Sequence, residues 1–297
     1  MNIGRVGIWT FQLDLQPAAR AREAAAELDG LGYGAIWIPE ALGREPFTSA
    51  GLLLAGSRRI AVATGVANIW ARDAMATSAA QRTLTEAYPE RFLLGIGVSH
   101  RPMVEALRGH VYARPLTAMR AYLDAMDGAV FMAAPPTTPL VRVLGALHPK
   151  MLALAAERAD GAYPYFVPPE HTAAARAALG PDRLLAPEQA AILERDPTVA
   201  RTIARTHMAP YLMLPNYVRN LRRLGFTDTD LADGGSDRPS DRLVDAIVAW
   251  GEVDAIAARV HAHHAAGADH VCVQVLDADP QALPMRQWRA LAPALVR

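Results

Sequence analysis

The residues that could do chemistry stand at the ends of short apolar runs. Glu40 closes Trp37-Ile38-Pro39-Glu40. A carboxylate there could accept or deliver a proton, or hydrogen-bond a cofactor ring. A capping or salt-bridging acid on a loop is the alternative. His100 closes Gly95-Ile96-Gly97-Val98-Ser99-His100. It could donate a proton, hold a hydrogen bond, or simply sit in a loop. Gly97 would let the backbone approach a flat ligand, and Ser99 would line the same mouth. In Thr64-Gly65-Val66-Ala67-Asn68-Ile69-Trp70, Gly65 permits conformations that bulkier residues forbid. Asn68 offers donors and acceptors, and Trp70 a broad flat surface. A turn beside a core tryptophan is the competing reading.

A different chemistry is suggested by Leu147-His148-Pro149-Lys150-Met151, which opens a helix. The first amides of a helix lack internal partners and carry the positive end of its dipole, so phosphate binds there readily. Lys150 is the only lysine in the chain. A lysine in a first helical turn opposes the dipole, so its placement is informative. A solvent-facing lysine without a ligand is the alternative.

Other signals are weaker. His261, His263, His264 and His270 are closely spaced, but no HExxH pattern or convergent carboxylate accompanies them. They are expected on a solvated helix face, and no metal site is expected. Cys272 lies in an apolar run and reads as a core thiol. The GIGVSH segment superficially resembles a dinucleotide fingerprint, but His100 takes its sixth position and Pro102 interrupts the stretch beyond it. No nucleophile elbow or Walker A sequence is present.

These residues need elements to position them. Strands are expected at 5–11, 35–39, 60–66, 92–96, 141–146, 162–166 and 270–276, with 184–193 as a seventh strand running into other structure. Helices are expected at 17–31, 74–88 (capped by Asp73), 115–126, 149–159, 241–250, 253–266 and 281–295. Residues 198–223 read as helical pieces broken at Pro210 and Pro215, and 233–239 as a loop. Nearly continuous apolar strands alternating with helices imply a parallel sheet covered on both faces. Eight strand candidates predict an α/β fold, a (β/α)8 TIM barrel with an insertion near the later strands, as one domain over residues 1–297. An open doubly wound sheet is the alternative. In a barrel the site lies where strands end and the next loops begin.

Composition sets the outer bounds. Lys+Arg and Asp+Glu are 30 each, so the formal net charge is +0, which argues against a nucleic-acid partner. One cysteine excludes an internal disulfide. The apolar runs are too short to span a bilayer. A cytoplasmic protein acting on a small molecule is the expectation.

Six segments taken together resemble a known family: YGAIWIPE, ATGVANIWARD, YPERFLLGIGVSH, HPKMLALAAERADGAYPYFVPPEH, LPNYVRNLRRLGF and AGADHVCVQVL. The chain resembles the luciferase-like monooxygenase superfamily, in particular its actinobacterial branch of coenzyme F420-dependent oxidoreductases. The resemblance implies a deazaflavin, F420, or alternatively the flavin FMN, lying across the C-terminal mouth of the barrel. It implies a non-prolyl cis peptide at Gly65–Val66 supporting the ring. It places Glu40 against the ring, Gly97, Ser99 and His100 in contact with the cofactor, and Pro149, Lys150 and Met151 at its phosphate. His148 stands where many members have glycine, and Ala41 where some have histidine. Hydride transfer is the implied reaction, with Glu40 or His100 handling the proton and Trp9, Trp70, Tyr165 or Tyr217 over the substrate. An FMN monooxygenase and a cofactor-binding barrel without activity are the alternatives. A homodimer is the family-level expectation.

Overall fold

The computed structural model describes residues 1–231 and 238–296. Its strands are β1 (Val6–Trp9), β2 (Ala35–Ile38), β3 (Ala61–Thr64), β4 (Ala67–Asn68), β5 (Phe92–Gly97), β6 (Arg142–Gly145), β7 (Gly161–Tyr163), β8 (Leu184–Leu185), β9 (Glu188–Ile192), β10 (Val248–Trp250) and β11 (Val271–Val275). All the strand pairs are parallel. The sheet order is β10-β9-β11-β1-β2-β3-β5-β6-β7-β8, and β4 pairs with β5. From β11 through β7 the order advances in one direction. A doubly wound sheet reverses direction midway, so a doubly wound order does not describe these strands.

The sheet curves strongly. Trp37 on β2 stacks on Tyr163 of β7 at 4.9 Å, although three strands separate β2 from β7 in the order. The seventh predicted strand, 184–193, is divided by Ala186-Pro187 into β8, which pairs β7, and β9, which pairs β11. Proline cannot donate to a ladder, which is the physical reason for the division. The result is a barrel-like parallel α/β sheet. Trp9, Trp37, Leu93, Val143, Tyr163 and Cys272 share one buried cluster. A second, larger cluster lies between strands and helices.

Proline at the first position opens the helices Pro46–Ala55, Pro115–Asp127, Pro149–Arg158, Pro169–Leu179, Pro197–Leu212 and Pro215–Arg223. The missing N–H costs nothing there. Asp73 caps Ala74–Ala87 by accepting from the Ala76 N–H at 2.8 Å. Gly32 ends Ala18–Leu31 with φ of 91°, the left-handed stop that glycine favours.

Several expectations are corrected. The helix expected over 241–250 ends at Ile247, and Val248–Trp250 instead pairs β9 as a strand. Pro210 does not break its helix; it lies inside Pro197–Leu212, and the chain breaks only before Pro215. Pro210 forfeits its own N–H bond to the Thr206 carbonyl, yet the helix runs only two residues beyond it, to Leu212. The expected loop 233–239 lies, for residues 233–237, outside the described residues. The four histidines do not share a solvated face: His261 is exposed and His264 half-buried, but the other two lie in the interior. His263 and His270 are both 0% exposed. His263 bonds Thr172 Oγ1 at 2.8 Å and Gln189 Oε1 at 2.9 Å, while His270 Nε2 accepts from the Trp37 indole at 3.1 Å. Cys272 is buried, in agreement with a core thiol. Among the described residues no helix is long and apolar enough to cross a membrane, and no His/Cys/Asp/Glu group is arranged for a metal ion.

Candidate functional site

The turn after β3 is built from small residues and fixed by hydrogen bonds. The Gly65–Val66 peptide is cis. The Gly65 N–H donates to the Ile38 carbonyl at 2.7 Å, and the Trp9 indole N–H donates to the Gly65 carbonyl at 3.0 Å. A Cβ on Gly65 would sit 3.0 Å from Trp9 Nε1, so a larger residue would need the indole to give by a few tenths of an ångström. The Val66 side chain lies over β5. A Cβ on Gly97 would meet its Cγ2 at 2.6 Å. Packing against Val66 therefore accounts for the glycine at 97, before any ligand is considered.

Glu40, expected from the sequence as a proton-transfer or cofactor-facing group, is held by a dense set of hydrogen bonds. Its side chain is 7% exposed. Oε2 accepts from the Asn68 N–H at 2.7 Å and from Arg72 at 2.8 Å, while Oε1 accepts from Arg72 at 2.5 Å. Arg108 lies 3.5 Å from Oε1. Such a two-pronged guanidinium pair orients the carboxylate, with both oxygens engaged as acceptors. Asn68, in turn, accepts from the Trp70 N–H at 2.9 Å. Glu40, Arg72 and Asn68 thus brace the turn. Sequence reasoning misses Arg72, although it lies within the ATGVANIWARD segment.

The end of β5 carries Ser99 and His100. Ser99 has φ of 54°, and its carbonyl accepts from Tyr112 Oη at 3.3 Å. His100 Nδ1 lies 3.1 Å from Asn216 Oδ1. Burial lowers the His100 pKa, and the Asn216 bond opposes this. The ring is then neutral near pH 7, with Nδ1–H donating to Asn216 and Nε2 carrying the lone pair.

The end of β6 leads to the helix Pro149–Arg158, whose first turn has no side-chain cap. Lys150 is exposed beside it. His148 is held by the helix Pro215–Arg223: Nε2 donates to the Asn216 carbonyl at 3.2 Å, and Nδ1 accepts from Arg223 at 3.2 Å. Burial first, and the Arg223 charge second, lower its pKa. Both ring nitrogens are thus engaged by the helix Pro215–Arg223. Arg223, also missed from the sequence, is the second cation at this helix start. The segment LPNYVRNLRRLGF contains it, but no spacing rule links it to His148.

The four aromatics expected over a substrate are split. Trp9 lies 5.3 Å from Tyr165, and Tyr165 lies 6.4 Å from Tyr217, ring centroid to ring centroid. Trp70 belongs elsewhere. Its indole donates to the Val98 carbonyl at 3.0 Å and its ring faces Tyr112. A cavity of about 620 Å³ opens beside this group, lined by Phe11 and Gln12 after β1, Leu276 after β11, and Thr202, His207 and Tyr211 of Pro197–Leu212. None of Trp9, Trp70, Tyr165 and Tyr217 lines it. The Tyr211 hydroxyl lies 2.8 Å from that of Tyr165, which donates to Gln274 Oε1 at 2.8 Å.

Glu188, on β9, is a third residue that the sequence does not single out. It is 2% exposed. Its Oε2 accepts from the Phe166 N–H at 3.1 Å, and its Oε1 has no hydrogen-bond partner among the described residues. Burial pushes its pKa up to about 8, against the opposing bond from Phe166. Its place in the apolar run LLAPEQAAIL gives no hint of this.

Residues 5–270 match the family described as luciferase-like monooxygenase. A protein of Mycobacterium tuberculosis named as a coenzyme F420-dependent oxidoreductase is 29% identical over 200 residues, covering 57% of this chain and 56% of the relative. The matched stretch therefore spans little more than half of that relative. Among solved structures, the coenzyme F420-dependent tetrahydromethanopterin reductase of Methanopyrus kandleri has a TM-score of 0.78 at 14% identity, covering 100% of this chain and 99% of that one. The oxygenating constituent of a Pseudomonas putida Baeyer–Villiger monooxygenase, in complex with FMN, has a TM-score of 0.65 at 16% identity, covering 98% of both chains. These structural likenesses show a shared fold. The family match extends from before β1 to the start of β11, through the segments that carry Glu40, Gly65, His100 and Lys150, and the chain belongs to the luciferase-like monooxygenase family.

Proposed function

We propose that this chain is an oxidoreductase that transfers a hydride between coenzyme F420 and a small organic substrate at the C-terminal mouth of the sheet. We read the sheet as a closed (β/α)8 barrel in one domain, with the helices between β9 and β10 as its insertion. The pairing of β1 with β11 and the continuity of β8 into β9 support closure. The observation that carries the functional reading is the conjunction of two features at strand ends. One is the braced Gly65–Val66 turn after β3. The other is the uncapped, cation-flanked helix start after β6. The donor set there, Lys150, the first-turn amides and Arg223, fits the phosphate of such a cofactor.

Lys150, Pro149 and Met151 would hold the phosphate end, with His148 setting the helix start against Arg223. Val66, carried by Gly65 and accommodated by Gly97, would support the planar end, with Ser99 and Asn68 beside it. When bound, the deazaflavin supplies the hydride-carrying carbon. His100 accepts or returns the accompanying proton at Nε2, because its neutral ring presents a lone pair while Asn216 fixes the other nitrogen. Glu40 acts by positioning, through Arg72 and Asn68. Trp9 and Tyr165 wall the site and exclude water.

Titration of the purified protein with F420 and with FMN tests the reading. Micromolar binding of F420 is the expected result; binding of FMN alone would replace it with the flavin monooxygenase reading, which the FMN-bound structural neighbour favours. Lys150→Ala should weaken F420 affinity about tenfold, the worth of one charge-assisted phosphate contact. Turnover at saturating cofactor should change little. Unaltered affinity would remove Lys150 from the site.

A further inference from the structure

We propose that the 620 Å³ cavity between the ends of β1 and β11 and the helix Pro197–Leu212 binds an uncharged, hydrocarbon-rich small molecule. Its size falls within the ordinary range of small-ligand sites, ~300–1,000 Å³. Apolar groups dominate the wall: Phe11, Val199, Ile203, Pro210, Tyr211 and Leu276.

Most of the polar side chains in the wall already have a polar atom engaged or enclosed. Thr202 donates its hydroxyl to the Thr198 carbonyl at 2.7 Å, and Thr206 donates to that of Thr202 at 3.1 Å. Both hydroxyls are thus spent inside the helix. Gln12 Oε1 accepts from Thr10 at 2.7 Å. The Tyr211 hydroxyl is occupied by Tyr165. His207 is kept neutral by burial, its pKa pushed down to about 4, and its Nε2 is enclosed. Asp277 accepts from the Gln287 amide. The lining contains no lysine or arginine and one carboxylate. An anion entering this site would lose water and find no cation, a loss that burial makes expensive. A neutral apolar molecule would lose only unfavourable hydration.

The cavity is a separate neighbourhood from the cationic helix start at Lys150. It faces the site of the proposed chemistry through the Tyr211–Tyr165–Trp9 row, whose adjacent ring centroids are both 5.3 Å apart. That this ligand is the redox substrate rests on the hydride-transfer reading; that the cavity binds it does not.

A matched pair of fluorescent probes separates the possibilities. N-phenylnaphthylamine is neutral, and anilinonaphthalene sulfonate adds one negative charge to the same rings. The cofactor-free protein should bind the neutral probe at least about tenfold more tightly than the sulfonate. Thr202→Trp, which fills the cavity from an exposed helical position, should abolish the neutral probe's signal. Val199→Phe, at another exposed position, is the second filling variant. Equal or tighter binding of the sulfonate would overturn the proposal, as would undiminished binding of the neutral probe by whichever filling variants fold. F420 affinity of the filled variants is expected to match that of the parent. Probe binding as stated, without any F420 binding, would sink the hydride-transfer reading and leave this site standing. F420 binding without probe binding would do the reverse.

Discussion

Replacing Glu40 with alanine should destabilise the fold by ~3 kcal/mol, the cost of breaking a largely buried ion pair from one side. The thermal midpoint should fall by roughly 6 °C. Arg72 would lose both carboxylate oxygens, and the Asn68 N–H would lose its acceptor. The side chains of Glu40 and Arg72 are 7% and 15% exposed, so water replaces those bonds poorly. Glu40→Gln should fall between parent and alanine, because its amide oxygen can still accept from Asn68. A direct proton-transfer role would show differently: turnover would collapse in Glu40→Gln while the thermal midpoint stayed put. Thermal unfolding of both variants beside the parent decides the matter. A parental midpoint in Glu40→Ala would remove the bracing role.

Glu188→Gln should do the opposite, and only at the alkaline end. In the native protein Glu188 keeps its proton up to about pH 8, against an ordinary value of 4.5. The unfolded chain releases that proton far earlier. Below the unfolded value both states are protonated and the native state carries no penalty. As pH rises toward 8, folding must keep the proton bound, and stability falls. The loss at neutral pH is of order 3 kcal/mol for this one group. Glutamine can still accept from the Phe166 N–H but has no proton to release. The two proteins should therefore unfold at similar temperatures near pH ~5 and diverge by about pH 8, with glutamine the more stable. Parallel midpoint curves across that range would show that Glu188 does not titrate in this way.

The contrast between these two acids explains what the sequence can reveal. Glu40 is visible because it ends an apolar run, a position defined by local pattern. Its partner Arg72 is 32 residues away, and no local pattern records a pairing across that distance. Glu188 is invisible for the converse reason: one acid among apolar residues resembles a strand with a tolerated polar face. Lys150 is found at a helix start because both its rarity and its flanking proline are local facts. Strand ends are readable wherever apolar runs meet glycine or proline. The two-residue β4 is too short for any periodicity, and Val248–Trp250 merely continues the apolar rhythm of the helix before it. The helix Pro46–Ala55 escapes because its PFTSAGLLLA sequence shows no clear polar stripe. The cavity depends on how Pro197–Leu212 lies across the ends of β1 and β11, which is a property of tertiary packing.

Asn216 has a consequence that reaches past its own contacts. Its side chain is spent on His100 and its main-chain carbonyl on His148. One residue therefore serves as a common ruler for the end of β5 and the end of β6. The spacing between the proposed proton-handling ring and the proposed phosphate anchor is set by one helix, Pro215–Arg223. The two histidines cannot be retuned separately: a shift of that helix would loosen both rings in the same motion.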